Sequence, residues 1–195
     1  MRTRFEVLLV CTANVSRSPM AASLLRHHLT DRFGERGATI RVASAGTTAL
    51  VGEPVDPDVA TVLRTIGRPD LTGGESGRQV DAQLVGAADL VLTMTREQRG
   101  VVIALVPPAQ RRVFTVLELA RIARMLGDQK RLPPSASPGA GWKALVGAAP
   151  AWRGPTSPQD PARDDVDDVH RAKLDVQVKA ARRLDDALGA VVAVL

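Results

Sequence analysis

Ten consecutive residues, Val10-Cys11-Thr12-Ala13-Asn14-Val15-Ser16-Arg17-Ser18-Pro19, hold the chain's single cysteine, an arginine six positions later and small polar side chains around them. This set suits nucleophilic chemistry on an oxyanion. The thiolate is the reactive form of cysteine, and a helix N-terminus or a nearby guanidinium favours it. The planar fork of Arg17 can hold two oxygens of a phosphoryl group, where a lysine would supply only a point charge. Asn14 tolerates the left-handed backbone that a tight loop needs. Ser18 can donate a hydrogen bond to the thiolate. The backbone N–H groups of Thr12, Ala13, Asn14, Val15 and Ser16, with Ser18 at the start of a helix, would cradle a phosphate-sized dianion. Cys11 is then the candidate nucleophile, Arg17 the clamp, and Thr12 to Ser16 with Ser18 the substrate-binding set.

Against this stands a plainer reading. A lone cysteine at a strand end is most often a small buried hydrophobe. Arginine fills 22 of 195 positions, about one in nine, so the six-residue spacing is weak by itself. The elements that must position the motif decide the matter. Residues 5–10 form a short apolar run ended by a turn, the mark of a buried strand. Residues 18–33 read as a helix, with Pro19 in its first turn and Ala21, Leu25, Leu29 and Phe33 on one face. The motif therefore joins a strand to a helix N-terminus, where open α/β sheets bind ligands.

Downstream the alternation continues. Strands are expected over 39–43, 89–94 and 112–116. Helices are expected over 56–66 (Asp56 as N-cap, Pro57 at the first helical position), 81–88, 95–106 and 118–126. Strands alternating with helices imply a parallel sheet covered on both faces. Composition shifts over 127–163, which carries seven of the thirteen prolines and both tryptophans, Trp142 and Trp152. Without a sustained apolar period it reads as a long irregular insertion in one domain spanning 1–195. Its tryptophans would either pin the loop to the flank of the sheet or fold over the pocket mouth. An acidic knot, Asp164-Asp165-Val166-Asp167-Asp168, ends it. Leu174, Val178, Ala181, Leu184, Leu188, Val191 and Leu195 then mark an amphipathic closing helix.

Cys-x5-Arg followed by Ser-Pro-Met-Ala, close behind a first strand, resembles the low-molecular-weight protein-tyrosine phosphatases. Ser44-Ala45-Gly46-Thr47, Gly52-Glu53-Pro54 and Asp56-Pro57 are similar to that family's second loop, and the resemblance covers about 160 residues. It implies a four-stranded parallel sheet and a cysteine-dependent phosphomonoesterase, with Cys11 as nucleophile and Arg17 as phosphate clamp. It also implies a general acid in an Asp-Pro step before the last helix. Here the pattern departs, because the only such step late in the chain is Asp160-Pro161, inside the insertion. Asp168 stands in register with the closing helix, with Val169 in the proline's place. We expect Asp168 to be the acid, its proton held by like-charge repulsion from Asp164, Asp165 and Asp167. His170 takes the place of an aromatic at the site mouth. Residues 48–51 supply only aliphatic side chains where the family has an aromatic wall, and Ser16 replaces a second loop cysteine found in many relatives.

Three function classes follow. The first is a phosphatase acting on phosphorylated protein or small phosphomonoesters through a cysteinyl-phosphate. The second is arsenate reduction with an external thiol, and the third a phosphate-binding regulatory module with little turnover. No metal or cofactor is called for, since loop and arginine supply the positive charge. The net charge of +5 is spread along the chain and aromatics are only 3%, which argues against nucleic-acid binding. One cysteine excludes a disulfide framework, no apolar run is long enough for a membrane span, and 1–20 lacks a signal-peptide cleavage pattern. We expect a reduced, cytoplasmic protein, a monomer or weak dimer. His27 and His28 read as surface or stripe-edge residues of the first helix.

Overall fold

The computed structural model describes residues 4–195. The first three residues of the stretch weighed as a signal peptide lie outside them. Four parallel strands stand in the order β2-β1-β3-β4: β1 (Phe5–Cys11), β2 (Ile40–Gly46), β3 (Leu90–Thr93) and β4 (Val113–Thr115). The central strand β1 is apolar on both faces, as a strand covered on both sides must be. Phe5, Val7, Leu9 and Cys11 enter one core, and Leu8 and Val10 the other.

The larger core lies beneath α1 (Arg17–Phe33), α2 (Asp58–Thr65), α5 (Val116–Asp128) and α7 (Leu174–Ala193). The smaller one lies beneath α3 (Ala82–Ala87) and α4 (Arg96–Leu105). The expected strands and helices are all present, with ends shifted by up to three residues. Asp81 caps α3, its side chain accepting from Leu84 N at 2.7 Å. Asp56 does not cap α2 directly, because the helix starts at Asp58. Its Oδ1 instead accepts from Asp58 N at 3.0 Å.

Register aligns the carboxyl ends of the strands. Cys11 stands opposite Gly46, Val10 opposite Thr93, and Thr93 opposite Thr115. A Cβ on Gly46 would lie 2.3 Å from the carbonyl oxygen of Thr12, so only glycine lets the end of β2 approach the loop after β1.

The insertion departs from expectation. Its centre is a helix, α6 (Pro138–Ala148), not irregular chain. Ser137 caps it, its side chain accepting from Ala140 N, and Pro138 occupies the first turn. Pro138, Gly141, Trp142 and Leu145 form its buried stripe. That stripe keeps helical spacing, but three glycines in eleven residues dilute the apolar signal. Trp142 is fully buried and stacks on Phe5 at 5.7 Å, at the amino end of β1 and so at the far end of that strand from Cys11. Half-buried Trp152 lies under the guanidinium of Arg131. Both tryptophans pin the segment. Arg153 completes the docking, lying 4.0 Å over the ring of Phe114 and 3.5 Å from Glu118, which also pairs with Arg99 at 2.7 Å. Burial lowers the Arg153 guanidinium below its ordinary value; Glu118 opposes that shift and Arg99 adds to it.

Candidate active site

The loop between β1 and α1 turns back on itself through Asn14, whose φ is +59°. It is held from outside by the second loop. Thr47 N donates to Cys11 O (2.9 Å), Thr48 N to Thr12 O (3.0 Å), Leu50 N to Ala13 O (3.0 Å) and Asp56 N to Val15 O (2.8 Å). With those carbonyls bound outside, the loop's N–H groups face the opposite, inner side. Asn14 N points at Cys11 Sγ from 3.3 Å. No side chain caps α1, so its first-turn amides are left for an anion.

Ser18 Oγ lies 3.0 Å from Cys11 Sγ and accepts from Asn14 Nδ2 at 2.9 Å. Its one hydrogen can go to Ala45 O, 3.3 Å away, or to the sulfur, and a thiolate draws it to the sulfur. Asn14 is pinned in turn: Nδ2 also donates to Ser44 Oγ, and Oδ1 accepts from Arg78 N. Ser44 donates to Glu75, which pairs with Arg26 of α1. Cys11, Asn14, Val15, Ser16, Arg17 and Ser18 are thus buried in one constellation, with Thr12 exposed at its rim and Ala13 half-buried.

Arg17 reaches out from α1 with only 5% of its side chain exposed. Nη1 donates to Val166 O at 3.2 Å, and Nη2 meets Asp168 Oδ2 at 2.8 Å. So Asp168 joins the constellation. Val166 and Val169, each 1% exposed, anchor the segment on either side of it, and Val166 N donates to Met94 O at 2.8 Å. Val169 fills the proline's place as an apolar anchor. Asp168 itself is exposed, its Oδ1 accepting from His170 N at 3.1 Å. Asp160 has no such contact; its side chain accepts from Ala162 N and starts a short 3-10 turn.

The expectation of like-charge repulsion in the acidic knot is not met. Asp164 pairs with Arg121 at 2.8 Å, Asp165 with Arg96 at 3.4 Å and Asp168 with Arg17. Three of the four carboxylates each face a guanidinium of their own, and only exposed Asp167 lacks one among these pairs. His170 Nδ1 sits 3.3 Å from Asp56 Oδ2, beside the second loop. Leu50 and Val51 are exposed. His27 and His28 are half-buried at the edge of the helix stripe: His28 Nε2 contacts Asp185 Oδ1 at 2.8 Å, and His27 lies between Arg68 and Asp31. They belong to the α1–α7 packing, away from the loop.

Sequence reasoning missed Gln98. Its Nε2 donates to Thr12 Oγ1 at 3.1 Å, while its Oε1 accepts from Met94 N and Thr95 N. The capping-box spacing Thr95-x-x-Gln98 was its sequence signal. Among the described residues no group of three or more His, Cys, Asp or Glu is placed to hold a metal ion. No helix among them is long and apolar enough to cross a membrane.

Comparison with known proteins fits this geometry. A probable low molecular weight protein-tyrosine-phosphatase, EpsP of Ralstonia solanacearum, is 35% identical over 113 residues, 58% of this chain and 71% of that protein. The low molecular weight protein-tyrosine-phosphatase Wzb of Salmonella typhi is 36% identical over 110 residues, 56% of this chain and 66% of its own length. The chain thus spans about two thirds of the lengths of these relatives. The crystal structure of a low molecular weight protein tyrosine phosphatase from T. tengcongensis superposes with a TM-score of 0.67 at 21% identity, covering 98% of this chain and 99% of that one. That likeness carries the fold. Kinship with phosphatases favours the cysteine-based phosphatase reading over arsenate reduction and over a silent phosphate-binding module. Residues 6–126, which contain the loop from Cys11 to Ser18 and its outer support, match the model of the low molecular weight phosphotyrosine protein phosphatases, and the chain belongs to that family.

Proposed function

We propose that this chain hydrolyses phosphate monoesters through a cysteinyl-phosphate on Cys11. The thiolate attacks phosphorus in line. The Sγ–P bond forms as the ester P–O bond breaks, while Arg17 and the inward loop amides hold the non-bridging oxygens. Asp168, displaced from Arg17 as the phosphoryl oxygens take the guanidinium, serves as general acid in its protonated form and gives its proton to the leaving oxygen. The resulting carboxylate then takes a proton from water, whose oxygen attacks phosphorus. The P–S bond breaks, the thiolate is restored and inorganic phosphate leaves.

One observation carries the reading: Ser18 Oγ and Asn14 N converge on Cys11 Sγ from 3.0 and 3.3 Å, at the start of an uncapped helix with Arg17 buried beside it. The relatives named as protein-tyrosine-phosphatases support phosphorylated protein as the substrate class. Small phosphomonoesters fit the chemistry equally, because Leu50 and Val51 offer the mouth an aliphatic surface and no stacking ring. We place the enzyme in the cytoplasm, where a thiol nucleophile stays reduced, as a monomer or weak dimer.

The test is turnover of p-nitrophenyl phosphate, with acid-quenched protein examined for bound phosphate. Cys11→Ser should abolish turnover and the phosphoprotein yet keep affinity for inorganic phosphate, whereas Arg17→Ala should lose both. Turnover by purified Cys11→Ser protein overturns the assignment.

A further inference from the structure

Among the polar side chains of the loop, only that of Thr12 is open to solvent. Its hydroxyl lies between two groups that can only donate. On one side is Gln98, 5% exposed, whose amide orientation is settled by its neighbours. Oε1 accepts from Met94 N at 3.0 Å and Thr95 N at 3.1 Å, so the group facing Thr12 Oγ1 at 3.1 Å is the NH2. On the other side is Arg17 Nη2 at 3.4 Å, a guanidinium nitrogen with no acceptor capacity. A hydroxyl has two lone pairs and one hydrogen. With donors on both sides, the Thr12 hydrogen is turned away from both, and no acceptor among the described residues takes it. Nη2 is also the atom that meets Asp168. An oxygen arriving at Arg17 therefore arrives beside an unspent hydroxyl donor.

We infer that Thr12 Oγ1 is an additional donor to the bound phosphoryl group, and that Gln98 is the positioning residue that holds it in the donating orientation. This rests on the reading of the site as a phosphate site and adds a side-chain contact to a cradle otherwise built from backbone and Arg17. Gln98 is suited to the task because its carbonyl is clamped by two backbone amides of the turn into α4. Its NH2 cannot exchange places with its oxygen without leaving those amides unpaired.

The test uses inorganic phosphate as the probe, measured by calorimetry and as a competitive inhibitor, so binding is read apart from turnover. Thr12→Val keeps shape and removes the donor; phosphate affinity should fall about tenfold or more, as for a lost hydrogen bond to a charged group. KM for phosphomonoesters should rise with it. Thr12→Ser should stay within about twofold of the native protein. Glu at 98 can still accept from Met94 N and Thr95 N, but its second oxygen accepts from Thr12 and draws the hydroxyl hydrogen away from the site. Gln98→Glu should therefore weaken phosphate strongly in the native background and far less in the Thr12→Val background, a coupling a double-mutant cycle measures. Unchanged melting temperatures separate this from a folding defect. Thr12→Val within twofold of the native affinity, or independent effects around the cycle, overturns the inference while leaving the phosphatase reading intact. A native protein that does not bind phosphate overturns both.

Discussion

Replacing Asp168 by Asn should move binding and turnover in opposite directions. In the free enzyme Asp168 Oδ2 holds Arg17 Nη2 at 2.8 Å. A phosphoryl oxygen needs that same nitrogen, so substrate must displace the carboxylate. Arg17 is buried but the Asp168 side chain is 61% exposed, and exposed ion pairs contribute about 0–1 kcal/mol. Removing the competing charge should tighten inorganic phosphate by up to about fivefold, the equivalent of roughly 1 kcal/mol. Loss of the general acid should lower kcat for alkyl phosphates by about 10²–10³. p-Nitrophenyl phosphate, whose leaving group needs little proton help, should lose much less.

The assay compares native, Asp168→Asn and Asp160→Ala proteins on an alkyl and an activated aryl phosphate, with phosphate inhibition measured in each. Asp160 starts a turn in the insertion and touches nothing in the loop, so its removal should change kcat less than about threefold. If Asp168→Asn weakens phosphate, the carboxylate is a binding group and not a competitor. If its kcat on alkyl phosphates stays within threefold, Asp168 is not the acid.

Three further outcomes are expected. Peroxide should carry Cys11 past the sulfenic acid to irreversible forms, because Ser16 offers no neighbouring thiol to trap it; recovery of full activity with dithiothreitol after excess peroxide refutes this. Glu118→Gln leaves Arg99 and Arg153 facing each other without their shared carboxylate and should cost about 3 kcal/mol in denaturant unfolding. The two arginines keep about a quarter of their side chains exposed, which sets the value at the low end of that range. Trp142→Ala should cost about 3–5 kcal/mol, and tryptophan emission should ignore saturating phosphate, since Trp142 stacks on Phe5 and Trp152 packs under Arg131; a phosphate-dependent shift refutes that placement.

How much was legible depends on how local each contact is. Cys11 to Ser18 is a contiguous stretch between a strand and a helix, so its residue types already dictate most of its geometry, down to the left-handed Asn14. Asp168 is different. Nothing local ties it to Arg17; the tie is made by Val166 and Val169 sinking into the core and by Val166 N reaching Met94 O. The role proposed for it came from resemblance, and what the fold changes is the arrangement of the carboxylates around it. Neighbours in sequence suggested four carboxylates crowding one another, but in extended chain successive side chains diverge. Gln98 was missed for a related reason: a capping box announces a helix start, not what the free end of its glutamine will touch.

The arginine excess makes sense on the same terms. Twenty-six basic residues against twenty-one acidic ones give the chain a net charge of +5, a weak diffuse field for anions. In the fold, arginines act as ties between segments that no strand or helix joins. Arg183 holds the carbonyls of Arg163 and Asp165 from α7, Arg112 those of Val85 and Ala88, and Arg26 those of Val42 and Leu71. Each tie spans two carbonyls, which a planar fork of donors can do and a lysine ammonium does poorly. The tie from Arg183 bears on function, because it fixes the backbone one and three residues before Val166 and so the height at which Asp168 meets Arg17. Arginine thus serves this chain twice, once as the phosphate clamp and repeatedly as the fastening that keeps distant loops in register with it.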